Sequence, residues 1–337
     1  MTLNDPRAIE ISNDQLSAKI IPFGASLTDL RLEPSKSPLV LGYEDTAVYL
    51  TDGQYMGAVV GRYANRIANG TAAILDQSVQ LERNELGKNH LHGGANGFAV
   101  KHWNLENCSN DSVTFSLESL DGDAGFPGHL KLRAIYEILD NGTLRLTISA
   151  TSTKDTLINI CHHPYFDFSG TGQIDDHRLQ IASQHYLPSG DDLIPLGHVE
   201  DATGGPFDFS NARPLSPHDY NNTYCLHEAQ SGKLTHAATL SGHGVNMELW
   251  TTQPGLHLYN GYKLFRETHG HTGKPYRPYS GICLEAQAWP DGPNQQSFPP
   301  TILAAGSVYE QITEYRFTAV LSSASSSANQ DTAHTFS

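Results

Sequence analysis

Two ten-residue stretches of apolar–polar alternation constrain the fold of this chain more than any other feature. In LKLRAIYEIL (130–139) and TLRLTISATS (143–152), apolar residues recur at every second position. Because successive side chains of a strand point to opposite faces, this period predicts two strands that each bury one face. The intervening Asp140-Asn141-Gly142 is typical of a tight turn. The segment is therefore predicted to be an antiparallel hairpin.

The rest of the chain follows the same pattern, and helical periodicity is scarce. VTFSLES (113–119) predicts another strand, and 30 glycines and 18 prolines recur along the chain, as turns between short strands require. With 337 residues, of which 38% are hydrophobic, the chain can bury a large core. We expect one antiparallel β domain with few helices over residues 1–320. The small polar residues of 321–337 cannot bury a core, and we expect a disordered tail there.

Charge and cysteine content bound the partners and the compartment. A formal net charge of −15 repels nucleic acids and anionic membrane surfaces. The N-terminal residues lack the apolar run of a signal peptide, and no stretch approaches the roughly 18 apolar residues of a membrane helix. The four cysteines show no paired spacing, which favours free thiols in a reducing compartment. We therefore expect a cytoplasmic protein that binds neither nucleic acid nor membranes.

Two adjacent histidines occur in NICHHPYFDFSG (159–170), where a metal site, a catalytic pair and two unrelated packing positions are all open. If the segment is extended, His163 shares a face with Cys161 and Tyr165. His162 then falls on the opposite, apolar face. Neighbouring strand residues cannot easily chelate one ion, so we expect His162 to be a packed histidine and His163 to be the functional candidate.

A carboxylate lies inside a second strand-like run, CLEAQAW (283–289), where Glu285 alternates with apolar residues. An exposed strand face is the ordinary place for a glutamate, and a buried unpaired charge is costly. The polar residues that follow, Gln287 and Asp291, favour a functional role.

Two further segments offer polar groups. In GRYANRIANG (61–70), Arg62 and Arg66 lie beside Asn65 and can supply fixed donors to several hydroxyls, although the pattern alone favours surface arginines. His90 and His92 in NHLHGG have a spacing that is compatible with a metal, but no third ligand is evident nearby. Together with His163 and Glu285, these groups favour acid–base chemistry on a neutral polyhydroxyl ligand.

In combination, these segments resemble the aldose 1-epimerase (galactose mutarotase) family. The motifs that carry the resemblance occur in order over some 270 residues, which makes it specific. They are FGASLTDL (23–30), GRYANRIANG (61–70), LHGG (91–94), DGDAGFPG (121–128), NICHHPYFDFSG (159–170), YLPSGDDLIPLG (186–197), TTQPGLHLYNG (251–261) and CLEAQAWPDGPNQ (283–295).

The resemblance implies a large antiparallel β-supersandwich that interconverts the α and β anomers of free aldoses such as galactose and glucose. It implies no metal and no cofactor, and a monomer or homodimer. By position, the catalytic base falls on Glu285 and the catalytic acid on His163. The implied substrate-binding residues are Asn65, Arg66, His92, Tyr165, Asn221 and His257.

Two of these positions depart from the family pattern. Asn221 stands where the family usually has an aspartate, and His257 stands where it has a glutamine. An amide both donates and accepts hydrogen bonds, whereas an ionised carboxylate only accepts. The departures therefore bear on the preferred sugar and leave the acid and the base unchanged. Asp219, two positions before Asn221, is a residue that could compensate.

The acid and the base are expected to contact opposite edges of one pyranose. This arrangement predicts about 5–7 Å between the carboxylate and the imidazole. Three alternatives remain. A carbohydrate-binding protein without catalysis would not need both groups. A hexose-phosphate epimerase of a related family would need more basic residues near the ligand. A metal hydrolase could use His90, His92 and His163.

Overall fold

A computed structural model describes residues 7–35, 37–52, 55–215, 218–226 and 233–320. Strands dominate these residues, and the described part contains one short α-helix, α1 (Tyr49–Asp52). Short 3-10 turns lie at Thr46–Val48, Ala68–Gly70, Phe98–Val100, Asp123–Gly125 and Gly292–Asn294. The expected disordered tail at 321–337 lies outside the described residues. That the domain is single and spans 1–320 stays a prediction.

The described residues up to 152 supply twelve strands. They are β1 (Ile9–Ser12), β2 (Leu16–Ile21), β3 (Ser26–Leu32), β4 (Val59–Val60), β5 (Arg66–Ile67), β6 (Thr71–Ile74), β7 (Gln77–Gln80), β8 (His90–Leu91), β9 (Asn104–Cys108), β10 (Ser112–Ser119), β11 (Leu130–Leu139) and β12 (Thr143–Ser152).

From residue 156 onward, the part of the chain that the structure describes supplies thirteen more. They are β13 (Thr156–Leu157), β14 (Cys161–His162), β15 (Arg178–Ile181), β16 (His185–Leu187), β17 (Glu200–Asp201), β18 (Arg213–Pro214), β19 (Asn221–Cys225), β20 (Thr235–Gly242), β21 (Val245–Thr251), β22 (Gly255–Tyr259), β23 (Cys283–Gln287), β24 (Ile302–Leu303) and β25 (Val308–Ala319).

The predicted hairpin is confirmed as β11 and β12. The two strands pair from Leu130 with Ser152 to Leu139 with Thr143. At the turn, Asn141 and Gly142 have φ of 63° and 67°, a left-handed conformation that these two residue types tolerate best. On β11 the burial alternates along the strand, as the sequence pattern predicted. The hairpin is held in register because a one-residue slip would expose its apolar face.

Two large sheets organise the molecule. One has nine strands in the order β18-β15-β20-β21-β25-β12-β11-β10-β9, and the other has five in the order β17-β16-β19-β22-β23. A three-stranded sheet, β1-β2-β3, and four two-stranded pairs complete the described structure. All the strand ladders in this part of the chain are antiparallel. The expected large antiparallel β-supersandwich is confirmed.

One large apolar cluster fills the space between these sheets. It takes Leu132 and Tyr136 from the nine-stranded sheet, and Leu258 and Leu284 from the five-stranded sheet. Because alternate residues of a strand face opposite ways, the neighbouring positions of β22 and β23 face away from this core. These positions carry His257 and Glu285. The five-stranded sheet therefore has an apolar face toward the core and a face with polar side chains on the other side. Over the described residues, no helix is long and apolar enough to cross a bilayer.

Candidate active site

Glu285 lies in the middle of β23, and only 2% of its surface is exposed. Its direct partner on β22 is His257, which in turn pairs with Thr223 on β19. Directly opposite residues of an antiparallel sheet share a face, so these three polar side chains form one row across the sheet. The row places a buried carboxylate among neutral polar groups.

His163 follows directly after β14 and is fixed by its backbone. Its N–H donates to the carbonyl of Ala58, and its carbonyl accepts from the N–H of Gly57. The ring is buried, and its Nε2 lies 3.5 Å from Oε1 of Glu285. The structure therefore brings the predicted acid and the predicted base together.

The expected separation of about 5–7 Å between these two groups is wrong. That expectation placed the side chains at opposite edges of a sugar. The two sugar oxygens that exchange protons, O1 and O5, are both bonded to C1, so a base and an acid can reach them side by side. A contact of 3.5 Å fits the second arrangement.

Two buried thiols flank the pair; the sequence placed each of them on a polar strand face but did not predict which group each would contact. Sγ of Cys161 lies 3.5 Å from Oε2 of Glu285, and Sγ of Cys283 lies 3.6 Å from Nδ1 of His163. The contacts cross between the two segments: Cys161, two residues before His163, contacts Glu285, and Cys283, two residues before Glu285, contacts His163. Alternation predicts that the residues at i and i+2 of each segment share a face, whereas the crossed contacts depend on how the two segments meet.

Burial raises the pKa of the Glu285 carboxyl, because taking a carboxylate out of water disfavours its charged form. His163, the hydrogen bond from Cys161 and the charge of Arg66 all act against this shift. Three partners thus partly offset the cost of burying the carboxylate in its charged form.

His162, the neighbour of His163, turns into the core. Its Nε2 donates to the carbonyl of Gly57 at 3.1 Å, and its Nδ1 lies 3.1 Å from the hydroxyl of Tyr315. Burial lowers its pKa to about 3, so the ring is neutral. The prediction that the two adjacent histidines face opposite ways is confirmed, and a metal site between them is excluded by their orientation.

Arg66 and Asn65 lie at the edge of the site. Nε and Nη2 of Arg66 donate to the carboxylate of Glu85 in a bidentate pair, with 2.7 Å between Nη2 and Oε1. The Oδ1 of Asn65 accepts from the backbone N–H of Arg66. Glu85, which the sequence reasoning missed, therefore orients the guanidinium and balances its charge.

His92 is part of the same cluster of rings. Its Nδ1 accepts from the backbone N–H of Asn65 at 3.1 Å, and its ring lies 5.7 Å from that of His163. Burial lowers the pKa of His92 well below its usual value, so the ring is neutral and carries its proton on Nε2. Tyr55 packs against both rings, at 4.7 Å from His92 and 6.1 Å from His163. Tyr165 stacks on His163 at 5.2 Å.

A hydrogen-bonded chain joins the two positions that depart from the family pattern. Nε2 of His257 lies 2.8 Å from Oδ1 of Asn221, and its Nδ1 lies 2.9 Å from Oγ1 of Thr223. Burial, with the charges of Arg66 and His163, lowers the pKa of His257 to about 3. The neutral ring therefore donates to Asn221 and accepts from Thr223, which leaves the amide N–H groups of Asn221 to other acceptors. Asp219 does not join this chain, because it accepts from the hydroxyl of Tyr279 at the surface.

Arg62 is a structural residue, and the interpretation as a surface arginine is wrong. It is 1% exposed, and its guanidinium donates to the carbonyls of Pro127, Gly128 and Ser119 at 2.8–3.0 Å. Burial lowers its pKa to about 10. Its guanidinium thus anchors the loop at 119–128.

The ligand set of a metal hydrolase is not brought together. Nδ1 of His90 binds the carbonyl of Glu82, and the His90 ring packs edge-on against Phe126. The rings of His92 and His163 lie next to each other, whereas the ring of His90 has other partners. The three histidines therefore do not converge on one point.

Comparison with known proteins agrees with this geometry. The family model described as aldose 1-epimerase matches residues 7–316. The chain is 36% identical over 320 residues to galactose mutarotase of Bos taurus, which covers 91% of this chain and 93% of that protein. It is 31% identical over 326 residues to aldose 1-epimerase of Escherichia coli, covering 91% and 94% of the two chains.

Solved structures show the same fold. A crystal structure of an aldose epimerase homologue from C. elegans superimposes with a TM-score of 0.87 at 27% identity, over 94% of this chain and 99% of that one. A galactose 1-epimerase from Lactobacillus acidophilus gives a TM-score of 0.82 at 25% identity, over 93% and 95% of the two chains.

Proposed function

This chain belongs to the aldose 1-epimerase family, and we propose that it interconverts the α and β anomers of free aldoses with Glu285 as the base and His163 as the acid. Membership makes the chain an isomerase of aldoses. The assignment of the two roles is supported by one observation above all: the buried carboxylate and the buried imidazole lie 3.5 Å apart in one cluster.

Anomer exchange requires one proton to leave the C1 hydroxyl and one to reach the ring oxygen. Glu285 accepts the first proton while the N–H at Nε2 of His163 donates the second, and the C1–O5 bond breaks. The open aldehyde then rotates about C1–C2. Closure on the other face reverses both transfers and restores the starting protonation states. Proton transfer by positioned side chains typically accelerates a reaction by about 10²–10⁴-fold, and holding the sugar in the reactive orientation supplies the rest of the rate enhancement.

The surroundings support these opposite starting states. Burial raises the pKa of Glu285, and the charge of His163, the hydrogen bond from Cys161 and the charge of Arg66 reduce this shift. His92 and His257 are neutral, so they add no positive charge that would compete with His163 for the carboxylate.

The substrate-binding side chains are proposed to be Asn65, Arg66, His92, Tyr165, Asn221 and His257. Nε2–H of His92 and the amide of Asn221 supply donors for sugar hydroxyls. Tyr165 adds an aromatic ring beside the acid. Because Glu85 already balances the charge of Arg66, the site suits a neutral sugar better than a sugar phosphate.

We propose a cytoplasmic location and a monomeric or homodimeric state. The free thiols of Cys161, Cys225 and Cys283 are buried without a disulfide, which fits a reducing compartment. The proposed proton transfers use these side chains alone, with no cofactor in any step.

The test is a polarimetric measurement of the decay of freshly dissolved α-galactose. Glu285→Gln keeps the shape of the side chain but removes its basicity, so we expect the rate to fall by about 10²-fold or more while galactose still binds in a calorimetric titration. His163→Gln should show the same pattern.

Two matched controls separate this result from misfolding. Glu310→Gln changes an exposed glutamate on β25, and His162→Gln changes the adjacent histidine that faces the core. Both should retain the rate per folded molecule. An active Glu285→Gln protein would refute the assignment.

A further inference from the structure

Three buried side chains of the site form a group that can hold a metal ion. One ligand atom each from His163, Cys283 and Glu285 lies within 4.8 Å of the other two. Cys283 and Glu285 are alternate residues on the same face of β23, and His163 reaches them from the end of β14. The group thus combines a nitrogen, a sulfur and an oxygen ligand on two neighbouring strands.

The set of donors matches zinc and similar ions. Bonds of about 2.0–2.3 Å to N, O and S place tetrahedral ligand atoms roughly 3.3–3.8 Å apart. The observed contacts of His163 with Glu285 and with Cys283 are 3.5 and 3.6 Å. These contacts use opposite ring nitrogens, so an ion bound between Nε2 of His163 and Oε1 of Glu285 requires the sulfur of Cys283 to rotate toward it by about 1 Å. A thiolate with an imidazole favours zinc-class cations over magnesium or calcium.

We propose that His163, Cys283 and Glu285 form an inhibitory site for a thiophilic divalent cation of the zinc class. The ion bonds to the nitrogen of the acid and to the oxygen of the base, so neither can exchange protons with a sugar. On binding, the S–H bond of Cys283 and the N–H bond at Nε2 of His163 break, the sulfur and the nitrogen form the metal bonds, and both protons pass to solvent. The fourth position of the tetrahedron stays open to water.

The inhibitory effect rests on the proposed roles of Glu285 and His163, whereas the metal site itself does not. Inhibition should be competitive with sugar, because ion and sugar use the same two groups. A chelator should also reverse the inhibition, because the sulfur is bound to the ion but is not oxidised.

The experiment titrates the full-length protein with Zn²⁺ in the polarimetric assay and with Co²⁺ in an absorption measurement. We expect Zn²⁺ to raise the apparent KM for galactose and EDTA to restore it. Co²⁺ should produce a thiolate-to-cobalt charge-transfer band. In Cys283→Ser the band should vanish, and Zn²⁺ affinity should fall by more than about tenfold, because even outer-shell changes at zinc sites cost 10–100-fold.

Cys225→Ser is the matched control. Cys225 is also fully buried on the same sheet, but it packs with Leu187, Trp289 and Phe298 away from the acid–base pair. This variant should keep both the band and the inhibition. The proposal is overturned if no thiolate band forms, or if Cys283→Ser keeps the band.

The two proposals fail in distinguishable ways. If Glu285→Gln remained active, the acid–base assignment would be lost, yet the cobalt band would still report on the metal site. If the band were absent while Glu285→Gln was inactive, the metal site alone would be refuted.

Discussion

Cys161 and His163 contact different oxygens of the same carboxylate. Sγ of Cys161 lies 3.5 Å from Oε2 of Glu285, and Nε2 of His163 lies 3.5 Å from Oε1. The two contacts hold the carboxylate between a thiol and an imidazole. The hydrogen bond from the thiol lowers the pKa of Glu285, whereas burial raises it. Cys161 is therefore a positioning residue, whose removal should be visible in the pH dependence of the reaction.

Replacing this thiol should shift the acid limb of the activity profile. The base works only when ionised, so kcat/KM falls as the pH drops through the pKa of the pair. Cys161→Val removes the donor and lets burial raise the pKa further. The acid limb should move up by roughly half a pH unit, since a thiol is a weak donor.

Cys161→Ser provides the comparison, because a hydroxyl replaces the thiol as donor at the same position. Its acid limb should stay at or below that of the parent protein. Profiles of kcat/KM for galactose between pH 4 and pH 8 check both variants. An acid limb that is the same in the valine and serine variants would contradict the role given to Cys161.

The fold was predictable to the extent that each strand carries its own signal. The β11–β12 hairpin has long alternating strands and an Asn-Gly turn, so the sequence located it to the residue. Strands of two residues, such as β4 and β14, carry no such pattern. They form because distant backbone segments meet, as when His162 pairs with Val59.

The site was predictable where strand alternation alone decides the face. Alternation separated His163 from His162 correctly, and it placed Glu285 on the face with Cys283. It could not reveal contacts between segments far apart in sequence, such as the pair of Arg66 with Glu85 or the burial of Arg62 under the loop at 119–128. The separation of acid and base was misjudged because the two groups were assigned to opposite edges of the sugar, although the two oxygens that exchange protons share one carbon.

Asn221 should determine which sugars the enzyme prefers. Its Oδ1 accepts from the neutral His257, so its amide N–H groups are directed to other acceptors. Asn221→Asp removes these donors and places a negative charge beside the ring. We expect kcat/KM to fall unequally across galactose, glucose, xylose, arabinose and fucose, with the ratio between the extremes changing by about tenfold, the value of one good hydrogen bond to a charged group.

Asn222→Asp is the matched control for this prediction, because it makes the same change one residue away, on the other face of β19. It should leave the ratios between sugars unchanged. A uniform fall across all five sugars in Asn221→Asp would show that this residue supports the fold and does not select the substrate.

Arg62 should contribute to stability far more than to turnover. Its guanidinium donates to four backbone carbonyls and to the hydroxyls of Ser119 and Thr156. Arg62→Met keeps the volume of the side chain but leaves buried carbonyls without donors. The free energy of unfolding should fall by about 3–5 kcal/mol in urea titrations.

The comparison is Arg133→Met, which breaks the exposed pair with Glu106 and should cost less than about 1 kcal/mol. The KM for galactose of the folded Arg62→Met protein should remain close to that of the parent. A large rise in KM without a loss of stability would place Arg62 in the sugar site.

Buried neutral histidines should make the protein lose stability as the pH falls. Burial lowers the pKa of His162 to about 3 in the folded protein, whereas the unfolded chain protonates near 6.5. The unfolded state therefore binds more protons below pH 6.5, and the stabilising contribution, complete above that value, is lost toward pH 3. For His162 alone, the loss at pH 5 amounts to about 2 kcal/mol. His162→Gln cannot titrate, so its drop in unfolding free energy between pH 7.5 and pH 5 should be smaller than that of the parent by this amount, even if its stability at pH 7.5 is reduced.

Urea titrations at the two pH values measure this drop in unfolding free energy. The control His269→Gln, at an exposed histidine, should show the same drop as the parent. An equal drop in His162→Gln and the parent would mean that His162 is protonated to the same degree in both states.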